Sequence, residues 1–401
     1  MPSPIHIPPE KASPSVWAVI EAEAVKRIAQ GHKVIRLHIG DTYLPFPRAL
    51  LEPVAGEEKL FSFLNRYGDT FGELPLREEI LAKVTSCNHL PAGGVDCIQV
   101  TAGATGALHA AFQRLLGPGA EVLTLAPYWS ILRNVAEAAG IRLVETPFYD
   151  LLSTPSTTCN SFQSSEALDP IKVMEQHITP RTGGIYINTP SNPTGIMLDR
   201  AILERIAELA QKHDLWVFSD EAYEDFIWDD ATPVSIGSLP GMWERTISVY
   251  TFSKCFGVSG LRVGYAVAPS YVMSQLNRAV VGTCYHAPRL GQLNAWRGML
   301  RFKDALGIFR ENYAPTWRYV KENLSVRSLP SASTFYFFVY LGDDWKGLPS
   351  LQKVKRMVQA GVSLAPGEYF GDDYEGWARM CWTVAPPEEI KEAVERLNRL
   401  G

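Results

Sequence analysis

Short apolar runs of strand length alternate along the chain with stretches whose apolar residues recur at helical spacing, most clearly in its middle third. That alternation marks a mostly parallel α/β sheet joined by crossover helices. GGIYINTP reads as a buried strand; LDRAILERIAELAQKHD then places Ile202, Ile206 and Leu209 on one helical face, and LWVFSD is the next strand. TISVYTFSK and RVGYAVAP follow as two more. The first three strands end near Asn188, Ser219 and Thr251, about 30 residues apart, the length of a strand, a crossover helix and a returning strand. Loops at such strand ends are where open α/β sheets bind their ligands.

Upstream, CIQVTAGATGALHAAFQRLL predicts strand, Gly-containing turn and helix, and EVLTLAPYWS a strand ending in an aromatic loop. The polar, Ser- and Thr-rich stretch from Leu151 to Ser165 predicts a surface connection. After Pro288 the pattern changes to long helices, a β-rich SASTFYFFVYL, and a last helix, PPEEIKEAVERLNRL. In that helix Ile390, Val394 and Leu397 form the apolar stripe, with Glu392 and Arg396 paired outside at i, i+4. The expected organisation is an arm of residues 1–45, part of it packing with the small domain, a large domain of 46–287 and a small α+β domain of 288–401. No internal repeat is visible.

Composition narrows the function classes. A chain of 401 residues, 46% of them hydrophobic, can bury a sizeable core. Its charged fraction of 20% is low, while 10 Trp, 16 Tyr and 17 Phe make it rich in aromatics, which fits a large core, a subunit interface or a flat ligand. A net charge of −5 without long Lys or Arg runs disfavours nucleic acid. No apolar stretch approaches the roughly 20 residues of a membrane span, and the start MPSPIHIPPEK lacks the pattern of a secretory signal, so a cytoplasmic protein is expected. The six cysteines are scattered without a CxxC pair, which argues against a metal cluster and for reduced thiols.

Candidate chemistry gathers at the strand ends. In TFSKCFGVSGLRVGY, Lys254 follows a strand and is hedged by Thr251, Ser253 and Arg262, a set suited to a phosphate; alone, a lysine there is an ordinary solvated charge. SDEAYEDF sets Asp220 at a strand end and Tyr223 three residues on, placed either for one flat ligand or, for Asp220, as a helix cap. NTPSNPTG holds Asn188 and Asn192 in a rigid turn. GATGAL opens a helix, so the N–H groups of Ala104 and Thr105 face an anion or simply complete a turn. Trp129 in PYW is either a core residue or a ring stacked on a heterocycle. Neither GxGxxG nor GxxxxGK[ST] is present, against NAD and ATP.

Taken in order, RYGDTFGELPLREEI, TAGATGAL, APYWSI, NTPSNPTG, SDEAYEDF, FSKCFGVSGLRVGY and GWARMCW resemble the class I/II aminotransferases of pyridoxal-phosphate fold type I, over roughly residues 30 to 400. The resemblance implies an α/β fold with a large, mostly parallel sheet between helices and a smaller α+β domain. It implies pyridoxal 5'-phosphate as cofactor, held by Lys254 as a Schiff base, with Asp220 pairing the ring nitrogen. Tyr223 and Asn192 are matched to the ring oxygen, Trp129 to stacking, and Ala104, Thr105, Thr251, Ser253 and Arg262 to the phosphate. Tyr67 resembles a tyrosine that reaches the neighbouring subunit's phosphate, which implies a homodimer with shared sites. Arg379 and Gly40 are matched to the substrate α-carboxylate, and Asn192 is counted with them as substrate-binding.

The expected reaction moves an amino group from an L-amino acid to a 2-oxo acid. GTCYHAPR and Thr105 stand where members specific for short dicarboxylic substrates often carry a further basic residue, so such a substrate is not expected. Arg289 lies close to that region, and Tyr285 and His286 either line the pocket or serve structure. The alternatives are a lyase or ring-closing enzyme on the same fold, and a cofactor-binding regulator, for which the short N-terminal arm leaves no DNA-reading domain.

Overall fold

Seven strands form the main sheet of the computed structural model, which describes residues 15–62, 64–152 and 169–400. Most of the stretch from Leu151 to Ser165, expected as a surface connection, lies outside those residues. The strands are β1 (Ile98–Thr101), β2 (Glu121–Ala126), β3 (Arg142–Pro147), β4 (Thr182–Asn188), β5 (Trp216–Asp220), β6 (Thr246–Thr251) and β7 (Gly264–Val267). Their order across the sheet is β1-β7-β6-β5-β4-β2-β3. Neighbours run parallel except at β7, which is antiparallel to both β1 and β6. The mixed α/β architecture with a mostly parallel sheet is the one expected.

The reversal at β7 has a simple cause. Between β6 and β7 the chain forms only a one-turn helix, Phe252–Cys255, and a 3-10 turn, Ser259–Leu261. A helix of four residues rises about 6 Å, too little to carry the chain back across the sheet for another parallel strand. The chain therefore turns at the edge and comes straight back. Register then sets Gly264 abreast of both Thr251 and Thr101.

Strands β1, β2, β6 and β7 are buried along their whole length, as a sheet covered on both faces requires. Helices Gly103–Leu115 and Ser270–Thr283 share one apolar cluster with Phe218 and Val249. Helix Arg200–Lys212 closes the opposite face over Ile185 and Val217. Its Asp199 cap accepts from the Ile202 N–H at 2.8 Å. The buried stripe there runs through Leu203, Ile206, Ala207, Leu209 and Ala210; Ile206 and Leu209 are buried as expected, and Ile202 is only partly buried, so the face is turned slightly towards Leu203.

A second, three-stranded antiparallel sheet is built from β8 (Tyr336–Tyr340), β9 (Ala365–Pro366) and β10 (Trp377–Cys381), with β10 in the middle. Helices Phe302–Asn323, Ser350–Gln359 and Pro387–Asn398 pack with it. In the last, Ile390, Val394 and Leu397 are buried and Arg396 pairs with Glu392 outside, as the sequence pattern requires. The helix Val16–Ala29 adds Val16, Ile20 and Ala24 to this same core, and Ile35–Arg36 pairs in parallel with Val362–Ser363. Among the described residues no helix is long and apolar enough to cross a membrane.

Gly264 is the tightest point where sheet and site meet. A Cβ there would stand 2.6 Å from the Tyr250 carbonyl oxygen and 2.8 Å from the Ala104 nitrogen, both main-chain atoms that cannot swing aside. Gly264→Ala is therefore expected to lose about 1–3 kcal/mol of stability, read as a lowered denaturation midpoint at constant slope, and to weaken anion binding at the Ala104 N–H.

Candidate active site

The C-terminal edge of the parallel strands, the helix Val16–Ala29 and the second sheet enclose a cavity of about 550 Å³. Every residue that the resemblance matched to the site lines this cavity except Tyr67.

Adjacent strand ends fix the floor. Asn188 and Asp220 are in register at the ends of β4 and β5. The Asn188 amide donates to the Asp220 carbonyl at 2.9 Å and accepts from the Asn192 N–H at 2.7 Å, which pins the loop carrying Asn192. The Asp220 carboxylate is buried; it accepts from the Tyr186 hydroxyl at 2.8 Å and the Ala222 N–H at 3.2 Å. Burial pushes its pKa up to about 6, against the pull of those hydrogen bonds and of Lys254. Asp220 does not cap a helix, since a turn follows it. The buried Tyr223 hydroxyl meets that of Tyr336 at 2.7 Å, and burial holds its phenol well above the usual range.

Lys254 stands on the one-turn helix after β6, whose start is capped by Thr251 accepting from the Ser253 N–H at 3.1 Å. Its Nζ donates to the Gly40 carbonyl at 2.7 Å and lies 5.8 Å from the centre of the Tyr223 ring. Burial holds the amine below its usual range; Arg379 and Arg262 add to that, while Cys381 and Asp41 oppose it. A side chain at position 40 would collide with the Tyr336 hydroxyl, so glycine is required for this approach.

The anion end lies where helix Gly103–Leu115 begins. Its cap residue, Ala102, supplies no side-chain acceptor, so the first N–H groups face the cavity with the helix dipole behind them. Gly103 has φ of +73°, and a Cβ on it would come within 2.7 Å of Arg262 Nη2. The Thr251 hydroxyl donates to Ser253 Oγ at 2.9 Å beside them. Uncapped N–H groups, two hydroxyls and a guanidinium brought this close by a glycine form a cradle that fits the phosphate of pyridoxal 5'-phosphate.

At the other end Arg379, on β10, is buried. Its Nη1 donates to Asn192 Oδ1 at 3.0 Å and its Nη2 to the His38 carbonyl at 2.7 Å, and its Nε has no partner among the described residues. The Tyr336 and Phe370 rings lie 4.5 and 5.1 Å from its Cζ. Trp129, in the loop after β2, forms part of the wall. The Tyr67 ring is 81% exposed and packs on Tyr285, with centroids 4.9 Å apart, and near His286. Arg289 pairs with Glu73 at 2.5 Å. Tyr67, Tyr285, His286 and Arg289 do not line the cavity.

Trp17, Glu21, His38 and Tyr336 also line it, and sequence reasoning did not place them there. A hydroxyl-bearing ring inside the otherwise apolar FYFFV run was the available signal for Tyr336, and the one-turn spacing of Trp17 and Glu21 the signal for that pair.

In the ligand-free chain the raised Asp220 pKa opposes folding as pH rises. From pH 3.8 to about 6 the unfolded carboxyl gives up its proton before the folded one does. Asp220→Asn, which keeps the Tyr186 partner but removes the charge, is expected to stabilise the ligand-free protein at pH 7 by up to about 3 kcal/mol, and not at pH 3.5. Urea denaturation of both proteins at the two pH values checks this.

Residues 32–397 match the family model described as aminotransferase class I and II. The chain is 33% identical to an aspartate aminotransferase of Pyrococcus abyssi over 93% of each chain, and 32% identical to aromatic-amino-acid aminotransferase 2 of Thermococcus litoralis, again over 93% of each. A Thermus thermophilus aspartate aminotransferase double mutant superimposes with a TM-score of 0.84 at 25% identity, over 97% of each chain. Fold, cavity and relatives agree: the chain belongs to the class I and II aminotransferase family, pyridoxal 5'-phosphate-dependent enzymes of fold type I.

Proposed function

We propose that the cavity transfers an amino group between an L-amino acid and a 2-oxo acid through the residues described above, Lys254 foremost. The Lys254 amine, anchored on the Gly40 carbonyl, is the observation that carries this assignment. When bound, the cofactor supplies an electron sink for the carbon that loses its proton. Lys254 holds the cofactor and then moves that proton; an amine kept below its usual pKa range suits general-base work near neutral pH. Asp220 would keep a proton on the ring nitrogen, since burial makes its charge seek a partner. Because the arginine only donates, Asn192 spends its oxygen on Arg379 and keeps its amide N–H groups for the ring oxygen, which it shares with Tyr223. Trp129, in the cavity wall, would help hold the cofactor ring. Ala104, Thr105, Thr251, Ser253 and Arg262 hold the phosphate.

Arg379 takes the substrate α-carboxylate; its unpartnered Nε supports this, since a buried donor is costly to leave unmade. Gly40 contributes main chain at the same end. Among the described residues, the cationic lysine and arginines lining the cavity are Lys254, Arg262 and Arg379, each with a task, and Arg289 is paired elsewhere. That distribution supports an amino donor other than a short dicarboxylic acid, although several relatives are named for aspartate. No observation favours the elimination or ring-closing alternative.

The proposal includes a homodimer with shared sites, supported by the exposure of Tyr67, Leu60 and Leu290, and a division into 1–45, 46–287 and 288–401, supported by the two separate sheets. A cytoplasmic setting is supported by the five unpaired cysteines among the described residues.

Two substitutions test the assignment. Lys254→Ala should abolish the yellow absorbance of the bound cofactor and cut turnover by roughly a thousandfold or more; unchanged absorbance would sink the whole scheme. Arg379→Lys, which loses the two-pronged grip, should lower kcat/KM for amino acids about 10- to 100-fold while leaving that absorbance intact.

A further inference from the structure

Trp17 and Glu21 lie one turn apart on the helix Val16–Ala29 and both line the cavity, although neither has a part in holding the cofactor. The helix is fixed by a different stripe, since Val16, Ile20 and Ala24 are buried in the core shared with the C-terminal elements. With that stripe docked, the one beside it faces the cavity. The Trp17 ring is 5.7 Å from Arg379 Cζ, next to the group assigned to the α-carboxylate.

The Glu21 carboxylate is only half satisfied. Oε1 takes Arg36 Nη2 at 3.1 Å. Oε2 is shielded in the ligand-free chain and has no hydrogen-bond partner among the described residues, while the side chain as a whole is 40% exposed. His38 Nε2 is nearest in charge terms, at 3.8 Å, beyond hydrogen-bond reach. Nor does His38 supply a positive charge near pH 7: burial, with Arg379 and Arg36, drives its pKa down to about 4, and its Nδ1 is engaged with Ser363 Oγ at 2.9 Å. A protected acceptor without a donor is unfavourable unless something completes it.

We propose that Glu21 is a specificity-determining residue, whose carboxylate at the cavity wall accepts a hydrogen bond from the end of the amino donor's side chain while Trp17 covers its stem. The favoured donors carry an apolar stem ending in an ammonium or guanidinium group. A side-chain carboxylate meets like charge there and is disfavoured. This inference rests on the aminotransferase assignment above and deepens it.

The test uses the holoenzyme and three L-amino acids, lysine, norleucine and glutamate, with loss of the bound cofactor's absorbance as the readout of kcat/KM. Norleucine is lysine without its ammonium group. The wild type is expected to prefer lysine to norleucine about tenfold and norleucine to glutamate. In Glu21→Gln the lysine-to-norleucine ratio should fall about tenfold and the glutamate-to-norleucine ratio should rise. Arg36→Gln frees the second carboxylate oxygen and should raise the lysine-to-norleucine ratio, so the inference stays testable if Glu21→Gln fails to fold. Ratios that do not move in either variant, or a wild type that prefers glutamate to norleucine, overturn it. Failure of the underlying assignment is distinct: there, no amino acid consumes the absorbance at all.

Discussion

Everything at the active site depends on the chain doubling back between β6 and β7. A parallel sheet gathers the ends of its strands along one edge but sends each following segment away through a helix. Here the segment after Thr251 stays at that edge, because one turn of helix cannot bridge the sheet. Lys254 and Arg262, on the way out and the way back, are thereby held next to the ends of β1, β4 and β5. The close approach of Gly264 to Tyr250 and Ala104 is the packing cost of the same reversal, and glycine is what makes it bearable.

The second sheet completes what the first begins. Arg379 reaches from β10 to Asn192 of the main sheet's loop, and Tyr336 from β8 to Tyr223. Both contacts are buried, so they join the two sheets through polar pairs whose loss would strand donors and acceptors away from water. The first helix belongs energetically to the later elements, through Ile20 and Ala24, yet presents its neighbouring stripe to the cavity. One cavity is thus assembled from the beginning, middle and end of the chain.

How much of this the sequence discloses follows from how local each feature is. Buried parallel strands are continuous apolar runs, so β4, β5 and β6 are legible, and the cofactor motifs lie in the loops directly after such runs. The phase of helix Arg200–Lys212 is less so, because Ile202 and Leu203 are both apolar and only packing selects Leu203 for the core. Trp17 and Glu21 escape for another reason: two adjacent stripes of one helix look alike until docking decides which is buried. The FYFF run divides the same way, with Phe338 in the core beside Phe370 and Tyr374 and Tyr336 at the cavity.

The resting anchor of Lys254 is a main-chain oxygen, that of Gly40. No exchange of side chains can delete a carbonyl, so the lysine's tether is sheltered from drift in chemistry and exposed only to drift in shape. Position 40 tolerates nothing bulkier than hydrogen because of the Tyr336 hydroxyl. While Tyr336 keeps its hydroxyl, position 40 is therefore confined to glycine, and it could be enlarged only after residue 336 had been shortened.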